Sequence, residues 1–502
     1  MKNCLGGVLI GLLLVASPCC QSAEQSKNRP AAVAGSFYPA DPAQLIAFID
    51  SALARADAPN IDGTVIGLVA PHAGYSFSGG VAAYSYAAVK GKHFKRVVII
   101  GPTHVEPIGF TSVYDGDSYC TPLGKVEVDR EFARKLAHLD PSIRLSSTGH
   151  AIHKQQSEHS LEVQLPFLQR ALSGEFKIVP IVMGEQSYES SRALGLALEK
   201  LLRKDNDTLL VASSDLSHYH KYDDAGRKDR NLLNAITQND FLTVSRNLDI
   251  GVWEACGGAP IVAVMIATQH LGGSAPRLLK YANSGDVTGD KSRVVGYAAF
   301  AIIKGRPKND QKASALSDQD KAELLRIARA SVESAVRDHK VYEPAVPATG
   351  ILLQERGAFV TLREKGELRG CIGYTSPIYP LYQTVRDVAA LAALRDPRFS
   401  PVRESELKDL QYEISVLSPM QHVLDTSTIK IGEHGLLIRK GSREGLLLPQ
   451  VPVEQRWDRA TFLQEVSLKA GFPGEAWRDE DADLFTFTAT VFSDRDVSAA
   501  KR

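Results

Sequence analysis

The chain has 502 residues, 44% of them hydrophobic, with 58 basic and 58 acidic side chains. That length exceeds one ordinary core and predicts two or three domains. The hydrophobic content excludes a disordered chain, and the balanced charge excludes the basic field that gathers nucleic acid.

The N-terminus, "MKNCLGGVLIGLLLVASPCCQSAEQ", carries Lys2, an apolar run from Leu5 to Ala16, and then small and polar residues. This order reads as a signal peptide over 1–23 and predicts export, to a periplasm or to a membrane surface. Cys19 or Cys20 offers a lipid-attachment site, although Pro18 departs from that motif; an uncleaved anchor is the competing reading. No later stretch is apolar for long enough to span a bilayer. Cys4, Cys19 and Cys20 fall in this leader, and the remaining Cys120, Cys256 and Cys371 are too few and scattered for a disulfide framework.

Next come short apolar strand candidates, "GTVIGLVA", "RVVII", "FKIVPIVMG", "TLLVASS" and "RVVGYAAFAII", separated by helical patterns such as "PAQLIAFIDSALARA" and "SRALGLALEKLLRK". Apolar strands alternating with helices predict an α/β fold whose mainly parallel sheet is sandwiched by helices. In such sheets ligands sit beyond the carboxyl ends of the strands. Three strand candidates deliver ionisable residues to that edge: His72 after the first, His104 after the second, Asp215 and His218 after "TLLVASS". Each histidine alone reads as a packed loop residue; three at one edge point to a shared site.

"WEACGGAPIVAVMIATQHLGG" reads as a loop and a helix with Pro260 in its first turn. Cys256 lies just ahead, where the helix dipole favours a thiolate; a buried small residue is the plain alternative. Two imidazoles and a thiolate can hold a divalent transition metal with positions left open. Asp215 and His218 then become supporting or acid–base groups beside it. In "EHSLEVQLPFLQ", His159 and Glu162 lie one turn apart on an expected helix, as pocket lining or as an exposed helix start.

These blocks carry a resemblance. "AVAGSFYPADPAQL", "APHAGYSFSG", "GPTHV", "EHSLEVQLPFL", "SSDLSHY" and "CGGAPI" occur in the order seen in the Memo family. The match covers about residues 29–303 and implies a fold like that of class III extradiol dioxygenases. It implies His72, His104 and Cys256 as ligands of one metal, iron or copper, with Asp215 and His218 beside them. Those dioxygenases use a carboxylate where this sequence has Cys256, so catechol ring cleavage is not carried over.

A polar stretch over 304–316 reads as a linker. It leads into Ser317-Asp318-Gln319-Asp320, a capping-box start for the helix "KAELLRIARASVESAVRD". The body from 317 to 496 predicts an α+β domain. It opens with two strands joined at Lys365-Gly366 in "GAFVTLREKGELRGCIGY", followed by a helix, further strand pairs and "LFTFTATVF". "LRGCIG", with "DPRFSPV" and "GLLLPQV", resembles the AMMECR family. Arg369 and Cys371, sharing one face of a strand, form an anion or nucleophile site, or else Gly370 and Gly373 mark a tightly packed strand end; the second reading is preferred. Together the two bodies resemble the AmmeMemoRadiSam system, which implies a separate radical S-adenosylmethionine protein as partner, since no CxxxCxxC motif occurs in this chain.

The sequence thus predicts a metal-dependent, dioxygenase-like redox enzyme acting on a small or modified substrate. The alternative is a non-catalytic, metal-dependent module that binds a peptide or protein. A hydrolase reading ranks third, because the serines of "HAGYSFSG" lack a nucleophile-elbow pattern.

Overall fold

The computed structural model describes residues 27–494, apart from 57–60, 62, 154–155, 305–315, 346, 348–349 and 376. The expected signal peptide and nearly all of the expected linker lie outside the described residues. Among the described residues, no helix is long and apolar enough to cross a membrane.

The anticipated strands form the centre of a nine-stranded sheet. Thr64–Ala70, Thr208–Ser213, Arg96–Pro102 and Lys177–Met183 lie side by side and parallel. At the flanks the pairing turns antiparallel: Val294–Lys304 lies on Thr64–Ala70, and Thr111–Val113 on Lys177–Met183. The sheet is therefore parallel where the strand ends gather and is bounded on both sides by an antiparallel pair, beyond which Ile143–Leu145 lies parallel to Thr111–Val113. Parallel neighbours need a long crossover, whereas Arg277–Asn283 and Val294–Lys304 are joined only through the short helix Ser284–Thr288.

Side chains of Arg96–Pro102 alternate between two cores. Val98 and Ile100 pack with helices Tyr188–Leu202 and Gly258–His270, and Val97 and Ile99 with helices Pro42–Arg55, Tyr75–Ala87 and Leu165–Ala171. Each fully buried aliphatic side chain contributes about 1.5–3 kcal/mol, so a one-residue slip would expose both sets at once. The α/β sandwich follows from this two-faced strand.

The C-terminal part holds two four-stranded antiparallel sheets. Helix Asp318–Arg337 starts with the anticipated capping box, Ser317 and Asp320 each bonding the other's backbone N–H. Strands Ala358–Glu364 and Glu367–Tyr374 turn through Lys365 and Gly366, whose φ angles of 54° and 92° suit a two-residue hairpin with both central residues left-handed.

The two parts are docked through a shared core. Leu417, Met420, Leu437, Phe485 and Phe487 belong to the same apolar cluster as Leu232 and Phe241. Around it, Tyr188 Oη and Arg192 Nε donate to Asp483 at 2.9 and 2.7 Å, and Met420 N donates to Asp240 at 3.0 Å.

Candidate metal centre

Three adjacent parallel strands end at one place and bring His72, His104, Asp215 and His218 to the same sheet edge, as the strand-end rule predicts. The imidazoles of His72 and His104 stand edge to face with ring centroids 5.0 Å apart. His159 joins them, 4.5 Å from His104 and 5.5 Å from His72. One ring nitrogen from each of the three lies within 4.8 Å of the others.

The hydrogen bonds around His72 fix its tautomer. Ser213 has one hydroxyl proton and donates it to the Ser160 carbonyl at 2.6 Å. Its oxygen can then only accept, from Gln164 Nε2 at 2.8 Å and from His72 Nδ1 at 2.9 Å. Gln164 is oriented in turn by Tyr86 Oη, which donates to its Oε1 at 2.5 Å. Nδ1 of His72 therefore carries the proton and Nε2 presents a lone pair to the centre.

His104 is set in the same way by Glu158. This carboxylate accepts from His104 Nδ1 at 3.1 Å, from His104 N at 2.6 Å, and from the backbone N–H groups of His159 and Ser160 at 2.9 and 3.0 Å. Burial opposes ionisation of Glu158, but the bonds from His104 and Ser160 outweigh it and hold the carboxyl down to about 2. A carboxylate on the far nitrogen of an imidazole is the usual support of a metal-binding histidine.

His159 lies between Phe37 and His104, and its buried Nδ1 has no hydrogen-bond partner among the described residues. Burial, then repulsion from His104, lowers its pKa to about 4, and burial with the neighbouring histidines places His72 well below its ordinary value. Convergent imidazole nitrogens, with His72 and His159 kept neutral by burial, suit a transition-metal ion.

Cys256 Sγ sits 3.0 Å from His72 Nε2 and accepts from Asp215 N at 3.3 Å. Its location ahead of helix Gly258–His270 agrees with the sequence reading, but the expected ease of ionisation does not. Burial, followed by the Asp215 charge, pushes the thiol up and overrides the helix dipole. Asp215 braces the opposite side, accepting from the N–H groups of His72 and Ala73 at 2.8 and 3.3 Å. Burial raises its pKa to about 6 against those two bonds.

His218 is half-buried on the rim, and burial lowers its pKa. It lines a cavity of about 600 Å³ together with Cys256, Trp253, Glu254, Leu248 and Gln186. Glu162 takes no part. It lies on a 3₁₀ turn, Glu162–Gln164, while His159 precedes that turn, so the expected helical face shared by the two is not formed. Its carboxylate instead clamps the N-terminal segment through Arg29, the N–H groups of Ala32 and Val33 at 3.0 and 2.9 Å, and Tyr38 Oη at 2.6 Å.

A family model described as Memo-like protein matches residues 29–301, and one described as AMMECR1 matches residues 325–492. The chain belongs to the Memo-like family. It carries an AMMECR1 domain in tandem with the Memo-like domain. A MEMO1 family protein of Methanopyrus kandleri is 40% identical over 287 residues, covering 55% of this chain and 100% of its own length. Another of Aeropyrum pernix is also 40% identical over 287 residues, with the same coverage. A protein of Thermococcus onnurineus is 43% identical over 181 residues, 34% of this chain and 88% of its own. Among solved structures, an uncharacterized protein from Pyrococcus horikoshii is 41% identical and covers 34% of this chain and 89% of that chain, at a TM-score of 0.33.

In the AMMECR1 domain the "LRGCIG" residues are engaged in packing. A Cβ on Gly370 would meet the Ala392 carbonyl at 2.2 Å, and one on Gly373 would meet the Phe359 ring at 2.3 Å. Arg369 donates to both Glu406 oxygens, at 2.7 and 3.2 Å, and to the carbonyls of Ser400 and Pro401. The register shifts at Arg369, so strict alternation with Cys371 is lost. Cys371 bonds through its backbone N–H to Asp396 at 2.8 Å, its Sγ accepts from Thr361, and burial pushes its thiol up.

One feature of the site escapes the sequence: Ser213, Gln164 and Tyr86 form a relay that no motif announces. His159, anticipated as pocket lining, does face the site, where Glu158 accepts from its backbone N–H and holds the ring of the neighbouring His104.

Proposed function

We propose that the Memo-like domain holds one transition-metal ion, iron or copper, on His72 and His104, with His159 closing the histidine cluster and the Cys256 thiolate approaching from beside His72. In this reading the domain is a redox enzyme acting on a small substrate. The observation that carries it is the convergence of fixed imidazole lone pairs on the sheet edge, where His159 keeps an unpaired buried nitrogen. Such an ion, when bound, supplies redox chemistry and a Lewis-acidic centre.

The protein's own groups have distinct tasks. Ser213 and Glu158 hold His72 and His104 in the tautomer that offers Nε2. Asp215 ties down the backbone of His72 and Ala73. Cys256, with Sγ 3.0 Å from His72 Nε2, would hold the ion as a thiolate, which requires that it first lose its proton. His218, kept neutral by burial on the cavity wall, takes a proton from substrate or returns one. The cavity gives a small substrate room beside Cys256 and His218.

His218→Ala tests this assignment. The variant keeps its metal and loses oxygen-dependent turnover, read by metal analysis and an oxygen electrode over a panel of small reductants. Loss of metal to the level of His72→Ala would make His218 a ligand and overturn its role in proton transfer.

A further inference from the structure

The wall of the candidate site is held from the other domain. The segment 246–256 runs along the cavity and ends at Cys256. Asn247, fully buried, donates from Nδ2 to the Pro377 carbonyl of the AMMECR1 domain at 3.0 Å. Its own carbonyl accepts from the N–H groups of Val252 and Trp253 at 2.9 and 3.0 Å, closing the turn between them. Trp253, 3% exposed, donates its indole N–H to Glu355 of the AMMECR1 domain at 2.9 Å. Arg246 pairs with Glu444 of the same domain.

The residues just after Trp253 belong to the site. Glu254 accepts from His218 N at 3.3 Å and bonds His220 Nε2 and Lys228 Nζ, each at 2.8 Å, so it sets the strand that carries His218. Cys256 stands two residues on, against His72. An indole N–H buried without an acceptor is costly, so the bond to Glu355 helps to hold Trp253 alongside its core packing and its backbone bond to Asn247.

We infer that Glu355 of the AMMECR1 domain is a positioning residue for the site of the Memo-like domain, acting through Trp253 on the segment that carries Glu254 and Cys256. Its functional meaning rests on the metal-binding reading above; the coupling itself does not. In this chain the AMMECR1 domain thereby forms part of the site it never touches with a ligand atom.

The test uses the full-length protein, stripped with a chelator, and measures iodoacetamide labelling of each cysteine by peptide mass spectrometry. Glu355→Ala changes the rate at Cys256 about tenfold, the effect expected from losing one charge-assisted bond. Cys120 and Cys371 stay within twofold, and Glu355→Gln, which keeps an acceptor, restores the wild-type rate. Trp253→Phe removes the same bond from the other side and reproduces the change if Glu355→Ala fails to fold. A change below threefold at Cys256 in these variants, or a parallel rise at all three cysteines, would overturn the inference. Because labelling is read without metal, a wild-type protein that binds none would sink the proposed function and leave this result standing.

Discussion

Ser213→Ala is the sharpest perturbation of the candidate centre, because the serine is not itself a ligand and yet decides which nitrogen of His72 is free. The change removes one donor and one doubly used acceptor. It leaves the Ser160 carbonyl and His72 Nδ1 without their partner in a buried place, while Gln164 Nε2 keeps its bond to the Pro71 carbonyl. Each unpaired group costs about 1–3 kcal/mol, with water able to recover part, so a stability loss of about 2 kcal/mol is expected. The larger signal is in affinity. Once Nδ1 is unfixed, His72 samples the wrong tautomer and ring orientations, and loss of such a support weakens metal binding about 10–100-fold. Competition with a chromogenic chelator measures that affinity, and thermal unfolding of the metal-free protein measures stability separately. Tyr86→Phe, one step further out, gives a smaller loss of the same kind. An affinity within twofold of wild type in a folded Ser213→Ala protein would refute the tautomer argument.

Three further outcomes are expected. His150 is buried, and burial with the nearby Arg29 charge pushes its pKa down to about 3; its contribution is present above its unfolded value near 6.5 and is lost as pH falls. By pH 5 that loss is about 2 kcal/mol at 1.36 kcal/mol per pH unit, so urea unfolding of His150→Gln between pH 7 and 5 loses that part of the slope, and an unchanged slope would contradict it. Gly370→Ala drives a methyl into the Ala392 carbonyl and lowers stability by more than about 2 kcal/mol, whereas Cys371→Ser stays near wild type; equal effects in thermal melts would restore a special role for the thiol. Cell fractionation and N-terminal sequencing find an exported protein shortened near residue 23, and a protease site engineered between 304 and 316 yields two pieces that elute together because the shared core and the Asp483 bonds hold them; cytoplasmic protein beginning at Met1, or pieces that separate without denaturant, would contradict each expectation.

Features set by local pattern could be read in the sequence. The strand ends that deliver His72, His104, Asp215 and His218 follow from apolar runs ending in turn residues. The Ser317 capping box and the Lys365-Gly366 hairpin follow from side-chain chemistry within a few residues. Features that depend on distant partners could not. Glu162 turns away from the site because Arg29 and the N–H groups of Ala32 and Val33 claim it from the chain's first described segment. The Cys256 thiol is raised because burial, which no local pattern reports, exceeds the helix dipole. The grip of Glu355 on Trp253 crosses 102 positions and two domains.

The central claim is that one metal ion sits at the end of the central strands in the Memo-like domain. Metal content per chain, measured by elemental mass spectrometry after anaerobic purification, tests it most directly. Iron or copper is expected in the wild-type protein, falling by at least about tenfold in His72→Ala, His104→Ala and Cys256→Ala, while His138→Ala retains the wild-type amount. Equal retention in all four variants, or metal that stays with the AMMECR1 piece after cleavage and denaturant separation, would contradict it.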